Sequence, residues 1–154
     1  MELQSEPIAR AEMLIRRPAA EVFEAFVDPA ITRWFWFTRG SARLTEGAVV
    51  AWHWDIYGVS AAVAVKAVEQ NRRILIAWPT PVEWIFTPRS DDTTFVSITA
   101  SGFVGSGDEK VAKAIDAMGG FSLLLAGCKA FLERGVELNL VADHHPDAHV
   151  KIGG

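Results

Sequence analysis

The sequence predicts an α+β domain in which a seven-stranded, curved antiparallel sheet wraps a long C-terminal helix, with two short helices after the first strand. Three observations carry this. Segments of period-two alternation follow one another through the middle of the chain, divided by short turns, as in an antiparallel meander. Near the C-terminus the period becomes helical, and Phe121, Leu124, Leu125, Cys128, Phe131 and Leu132 fall on one broad apolar face. A twisted sheet needs a cover for its apolar side, and only this last helix is long enough.

Ala9, Ala11, Met13 and Ile15 alternate with Arg10, Glu12, Leu14 and Arg16, which predicts the first strand. Pro18 suits the first turn of a helix, and Val22, Phe23, Phe26 and Val27 give that helix its stripe. Asp28-Pro29 ends it and caps a second short helix, with Ile31, Trp34 and Phe35 as its buried face. Strands are then expected at 41–45, 48–57, Val59–Glu69 and 72–78, and Pro79-Thr80-Pro81 is expected to break the sheet. Val82, Trp84 and Phe86 alternate in the next strand, and 93–102 forms the last. Asp108 is the expected cap of the long helix, with Val111, Ile115 and Met118 on its apolar side and a kink at Gly119-Gly120. Lys129, Glu133 and Arg134 are expected on its polar side. The domain is placed at residues 8–143, with polar tails at 1–7 and 144–154.

Composition narrows the function. The formal charge is −4, so the basic footprint of a nucleic-acid binder is missing. The acidic, polar start predicts no secretory signal, and no apolar run looks long enough to cross a bilayer, so no membrane insertion is expected. The one cysteine, Cys128, cannot form an intrachain disulfide, and a cytoplasmic location is expected. Six tryptophans beside a single tyrosine exceed what filling a core ordinarily requires, and they point to a lined cavity or an interface.

Several stretches together resemble a known family. Pro18-Ala19-Ala20-Glu21-Val22-Phe23 with Asp28-Pro29, the Gly47 to Gly58 segment around Trp52-His53-Trp54, Arg72-Arg73-Ile74 to Trp78-Pro79, and Val82-Glu83-Trp84 are four of them. Gly119-Gly120-Phe121 through Lys129-Ala130-Phe131-Leu132-Glu133-Arg134-Gly135 is the fifth. In these the chain resembles the START-like (SRPBCC, helix-grip) superfamily, which includes polyketide cyclases, and within it the branch named after the heat-shock-protein-90 ATPase activator. The resemblance implies a pocket between sheet and long helix that takes apolar small molecules. It implies no universal catalytic motif.

The ligand-lining candidates are Trp34, Trp52, Trp54, Ile56, Ala61, Val63, Trp78, Trp84, Phe86, Phe121, Leu125 and Cys128. The small residues of the Ala61, Val63, Val65, Ala67 face are expected to leave the interior hollow on one side. Within Trp34-Phe35-Trp36-Phe37 some rings are expected to form a lid or an exposed patch. His53 and Asp55 share a strand face that reads as solvated rather than as a proton-transferring pair. His144, His145 and His149 read as tail residues rather than metal ligands, and Cys128 as a packed, inert thiol. No catalytic residue, metal or cofactor is expected. The sequence therefore favours a binding domain for an apolar or aromatic small molecule over an enzyme. A cyclase or dehydratase using the same cavity, and a chaperone-activator-like interaction domain with a protein partner or homodimer, are the alternatives.

Overall fold

The computed structural model describes residues 2–150. β1 (Ala9–Ile15) leads into α1 (Ala19–Val27) and α2 (Pro29–Thr32). The strands β2 (Arg39–Gly40), β3 (Val49–Trp54), β4 (Val59–Glu69), β5 (Arg73–Trp78), β6 (Thr80–Ser90) and β7 (Thr93–Ala100) follow, and then α3 (Gly107–Arg134) and α4 (Leu140–His144). The seven strands form one antiparallel sheet in the order β1-β7-β6-β5-β4-β3-β2. Strands β2 to β7 are a meander, and β1 adds itself beside β7. Curled around α3, this is the expected helix-grip architecture.

Alternation decides which face is buried. Val82, Trp84 and Phe86 of β6 and Val96, Ile98 and Ala100 of β7 are buried, whereas Glu83, Ile85, Phe95 and Ser97 between them are half-exposed. At the α1–α2 junction Asp28 caps as expected: its Oδ1 accepts the Ala30 N–H at 2.9 Å, and Pro29 opens the helix. Trp34 does not belong to the buried face, because α2 stops at Thr32 and the ring is 42% exposed.

The strands differ from expectation in four main ways, each for a local reason. β2 is Arg39–Gly40 rather than 41–45, because Ser41 is the last residue held to β3 and the Leu44 N–H turns away to the Val27 carbonyl (3.0 Å). Gly40 fits where a Cβ would lie 2.9 Å from the Pro29 side chain. β3 ends at Trp54, so Ile56 sits in a 3-10 turn (Asp55–Tyr57) outside the alternation. A bulge between Val65 and Ala67 shifts β4, and Val68 takes the inward place expected of Ala67. Pro79 reverses the chain without breaking the sheet. Pro81 lies within β6 opposite Ala77, and its carbonyl accepts the Ser101 N–H at 3.1 Å.

α3 is capped by Ser106, not Asp108. The Ser106 hydroxyl accepts the Glu109 N–H at 3.2 Å, and the Glu109 carboxylate accepts the Ser106 N–H in return. The helix runs unbroken through Gly119-Gly120 to Gly135, which ends it at φ 65°. By length and composition α3 would pass for a membrane span, contrary to the sequence reading, but Phe121, Leu124, Leu125 and Cys128 are buried against the sheet. Its inward stripe begins at Ala114 and Ala117, which leaves Ile115 (61% exposed) and Met118 (45%) on the flank.

Lys129 and Glu133 are not on an open face either. They clasp the end of β1: Lys129 Nζ donates to the Leu14 carbonyl (2.8 Å) and to Glu133 (2.7 Å), and the Arg16 N–H donates to Glu133 (2.8 Å). Arg17 Nε reaches the Leu132 carbonyl at 2.9 Å. Burial pushes the Glu133 carboxyl up, but the Arg16 N–H and the Lys129 ammonium together outweigh it and hold the group below the usual carboxylate range.

The segment after α3 was expected to trail off as a polar tail from residue 144. Instead it folds back over the end of β3. Tyr57 donates its hydroxyl to the Val141 carbonyl, the Val150 N–H donates to Ile56 (2.8 Å), and His149 Nε2 lies 2.6 Å from the Ala142 carbonyl. Met1 and residues 151–154 of the expected tails lie outside the described residues.

Two stability predictions follow from the helix grip. Leu125→Ala should cost about 2–5 kcal/mol and Lys129→Ala about 1–2 kcal/mol, whereas Arg134→Ala should stay within about 0.5 kcal/mol. Urea midpoints check the order, and equal effects at Lys129 and Arg134 would contradict the clasp. Because the folded Glu133 carboxyl is lowered, its contribution is present above the ordinary carboxylate pKa and lost as pH falls through the folded value. The stability gap between the native protein and Glu133→Gln should therefore be widest near neutral pH and close in acid.

Candidate ligand-binding cleft

Beyond α2 the chain carries Trp36 into the concave side of the sheet, where it becomes the hub of an aromatic cluster. Its ring centroid lies 4.8 Å from Trp52, 5.6 Å from Trp78, 5.7 Å from Trp54 and 6.2 Å from Trp84. Trp54 and Trp78 stack 5.5 Å apart and nearly parallel (5°), and Phe37 stacks on Trp52 at 5.4 Å. Edge-to-face and offset contacts of this kind are the favoured aromatic geometries. The tryptophans thus fill much of the interior that the sequence reading left hollow. Trp84 is buried and its indole N–H finds no acceptor among the described residues.

Open space survives on either side of Trp36. A cleft of about 340 Å³ lies between the β5–β6 end of the sheet and one side of α3. Trp36, Trp78, Val82, Phe103 and Phe121 form its apolar walls, and Tyr57, Asp116, His144 and His145 supply polar groups. Its width comes from the helix: Ala117 and Gly120 line it, and a Cβ at Gly120 would meet nothing within 4 Å. A second cleft of about 270 Å³ lies beyond, under Arg33, Trp34, Trp54, Ile56 and residues 137–142. Trp36 and Val141 line both, so that they stand between the two clefts.

Of the expected lining residues, the structure places Trp78 and Phe121 on the first cleft and Trp34, Trp54 and Ile56 on the second. Trp52, Val63, Trp84, Phe86, Leu125 and Cys128 are packed in the core and line neither, and Ala61 is half-buried beside Trp52. The free space therefore lies along α3 and not over β4. Trp36 was visible only as one of four aromatics in a run. Asp116 and Gly120 are unexpected because the sequence does not reveal which flank of α3 the sheet leaves uncovered, and Val141 because the fold-back of the segment after α3 depends on contacts distant in sequence.

The ionisable candidates separate clearly. Asp55 pairs with Arg39 (3.2 Å) rather than with His53, in keeping with a solvated face. Burial pushes the Cys128 thiol far above its ordinary value, with the nearby Glu133 charge adding to the effect. Among the described residues no three His, Cys, Asp or Glu side chains are grouped to hold a metal ion.

A seven-stranded curled sheet around one long helix, with a ligand-sized cleft at one end, defines a helix-grip domain of the START-like class. Within that class the chain belongs to the family described as Activator of Hsp90 ATPase homolog 1-like protein, which its residues 16–133 match. Solved structures agree. The protein SSP2350 from Staphylococcus saprophyticus superposes with a TM-score of 0.77 at 27% identity, over 86% of this chain and 96% of that one. The Aha1 dimer from Colwellia psychrerythraea gives 0.71 at 15% identity, over 84% and 98%. CalU16 from Micromonospora echinospora gives 0.67 at 15% identity, over 94% and 92%. Among curated proteins none matches this chain significantly. Membership of this family supports a ligand-binding domain in general terms.

Trp36→Ala should join the two clefts while removing the hub of the cluster. The expected result is a loss of about 3–5 kcal/mol in stability together with binding of bulkier apolar probes than the native protein accepts. Loss of stability with unchanged probe size would mean that Trp36 does not divide the space.

Proposed function

We propose that this chain is a binding domain for an apolar or aromatic small molecule held in the cleft beside α3. The observation that carries this reading is the cleft's composition: aromatic and aliphatic walls with a few polar groups at one side, at a volume within the range of small-molecule sites. Binding would draw on burial of apolar area, at about 25 cal/mol per Å², and on stacking against Trp36 and Trp78. The general character of the family supports the same reading, and the lone, buried Cys128 accords with a cytoplasmic setting.

Two alternatives have observations of their own. An enzyme of the cyclase or dehydratase type needs an ionisable group facing its cavity, and Asp116, His144 and His145 line this one. An interaction role, with a protein partner or a second copy, would draw on the exposed Trp34, Val136 and Leu138 and on the likeness to the Aha1 dimer.

Gly120→Leu tests the proposal with little risk to the fold. The new side chain enters open space, and leucine is a better helix former than glycine by about 1 kcal/mol. Stability should hold or rise while saturable binding of an apolar naphthalene probe, read by tryptophan quenching, is lost. Unchanged binding in Gly120→Leu would place the ligand elsewhere, and no saturable binding to the native protein would overturn the proposal.

A further inference from the structure

Building on the binding role proposed above, we propose that the cleft selects a positively charged aromatic molecule, an arylalkyl amine or quaternary ammonium, with Asp116 as the residue that sets the preference. The walls provide the first argument. Trp36, Trp78, Phe103 and Phe121 turn aromatic surface towards one small space, and aromatic faces attract cations electrostatically. Charge provides the second. With histidines neutral, Asp116 is the only charged side chain lining this cleft, and it takes part in no hydrogen bond or ion pair among the described residues. The lysines one and two turns earlier on α3 are directed elsewhere: Lys113 Nζ donates to the Val104 carbonyl at 2.7 Å, and Lys110 pairs with Glu6 at 2.9 Å. Among the described residues, then, no lysine or arginine neutralises Asp116, which lies at the exposed rim of the cleft.

The second cleft makes the contrast. It carries its own cation, Arg33, whose guanidinium already lies over the Trp34 ring at 5.1 Å from the centroid, with Glu137 on the same lining. Arg33 thus occupies one ring of that cleft and offsets the charge of Glu137 on the same lining. The cleft beside Asp116 differs in having a carboxylate with no arginine or lysine on its lining among the described residues. His144 and His145 line the same cleft.

The test compares three probes of one shape: 1-naphthylmethylamine, 1-naphthalenemethanol and 1-naphthoate, titrated into the intact protein at slightly alkaline pH. The amine should bind about tenfold more tightly than the alcohol, and the carboxylate more weakly than either, with the amine's advantage shrinking in about 0.5 M salt. Asp116→Asn should remove most of the amine's advantage over the alcohol, leaving only the part that the aromatic rings supply. If the alcohol binds and Gly120→Leu abolishes it, but the amine is no better than the alcohol, the cation preference is wrong and the binding role stands. An amine preference that persists unchanged in Asp116→Asn also overturns the assignment to Asp116. If none of the three binds, the binding role fails and this inference falls with it.

Discussion

The concave side of a seven-stranded sheet has to be covered by α3, a single helix whose two halves are not equally bulky. Towards its C-terminus Phe121, Leu124, Leu125 and Cys128 press into the sheet, and Lys129, Glu133 and Arg17 fasten that end to β1. Towards its N-terminus the inward positions are Ala114 and Ala117, followed by Gly120 on the flank. The packed half supplies the stability and the slender half the space. Grip and cleft are thus consequences of one helix's residue sizes.

That space is not empty of protein. Trp36 comes in from the opposite side, off the end of α2, and meets Trp52, Trp54, Trp78 and Trp84 within about 6 Å. Its ring converts what would be a single hollow into two clefts, roofed by the segment that follows Gly135. Tyr57 holds this roof through the Val141 carbonyl, and backbone pairing of Val150 with Ile56 anchors its end. The ionisable groups of the cleft come from the roof and from α3. A ligand would therefore rest on aromatic rings from the sheet side and present its polar part to Asp116, His144 and His145.

The sheet was legible in the sequence because one side of it is wet. Alternation at Ala9–Ile15, Val82–Phe86 and 93–100 reports burial directly, and short turns force neighbouring strands to be antiparallel. The Asp28 cap was equally legible, because Pro29 directly after it marks where the helix starts, whereas at α3 both Ser106 and Asp108 are good caps and the structure uses Ser106. What depended on packing at a distance was not. Lys129 and Glu133 look like solvent residues by helical period, yet the end of β1 reaches them. Strand and helix period separates inward from outward residues but not core from cleft. Trp52 and Trp84 face inward and are covered, while Trp78 faces inward and is reached. The deciding quantity is the gap left by Ala117 and Gly120, and a missing side chain is a weak signal in a sequence.

The claim that the binding space lies beside α3, and not within the tryptophan core, can be read from the six indole N–H signals of the isotope-labelled protein during titration with a naphthalene probe. Trp36 and Trp78 should shift saturably, while Trp52 and Trp84, buried away from the cleft, should move little. Shifts confined to Trp52 and Trp84, or spread equally over all six, would contradict the account.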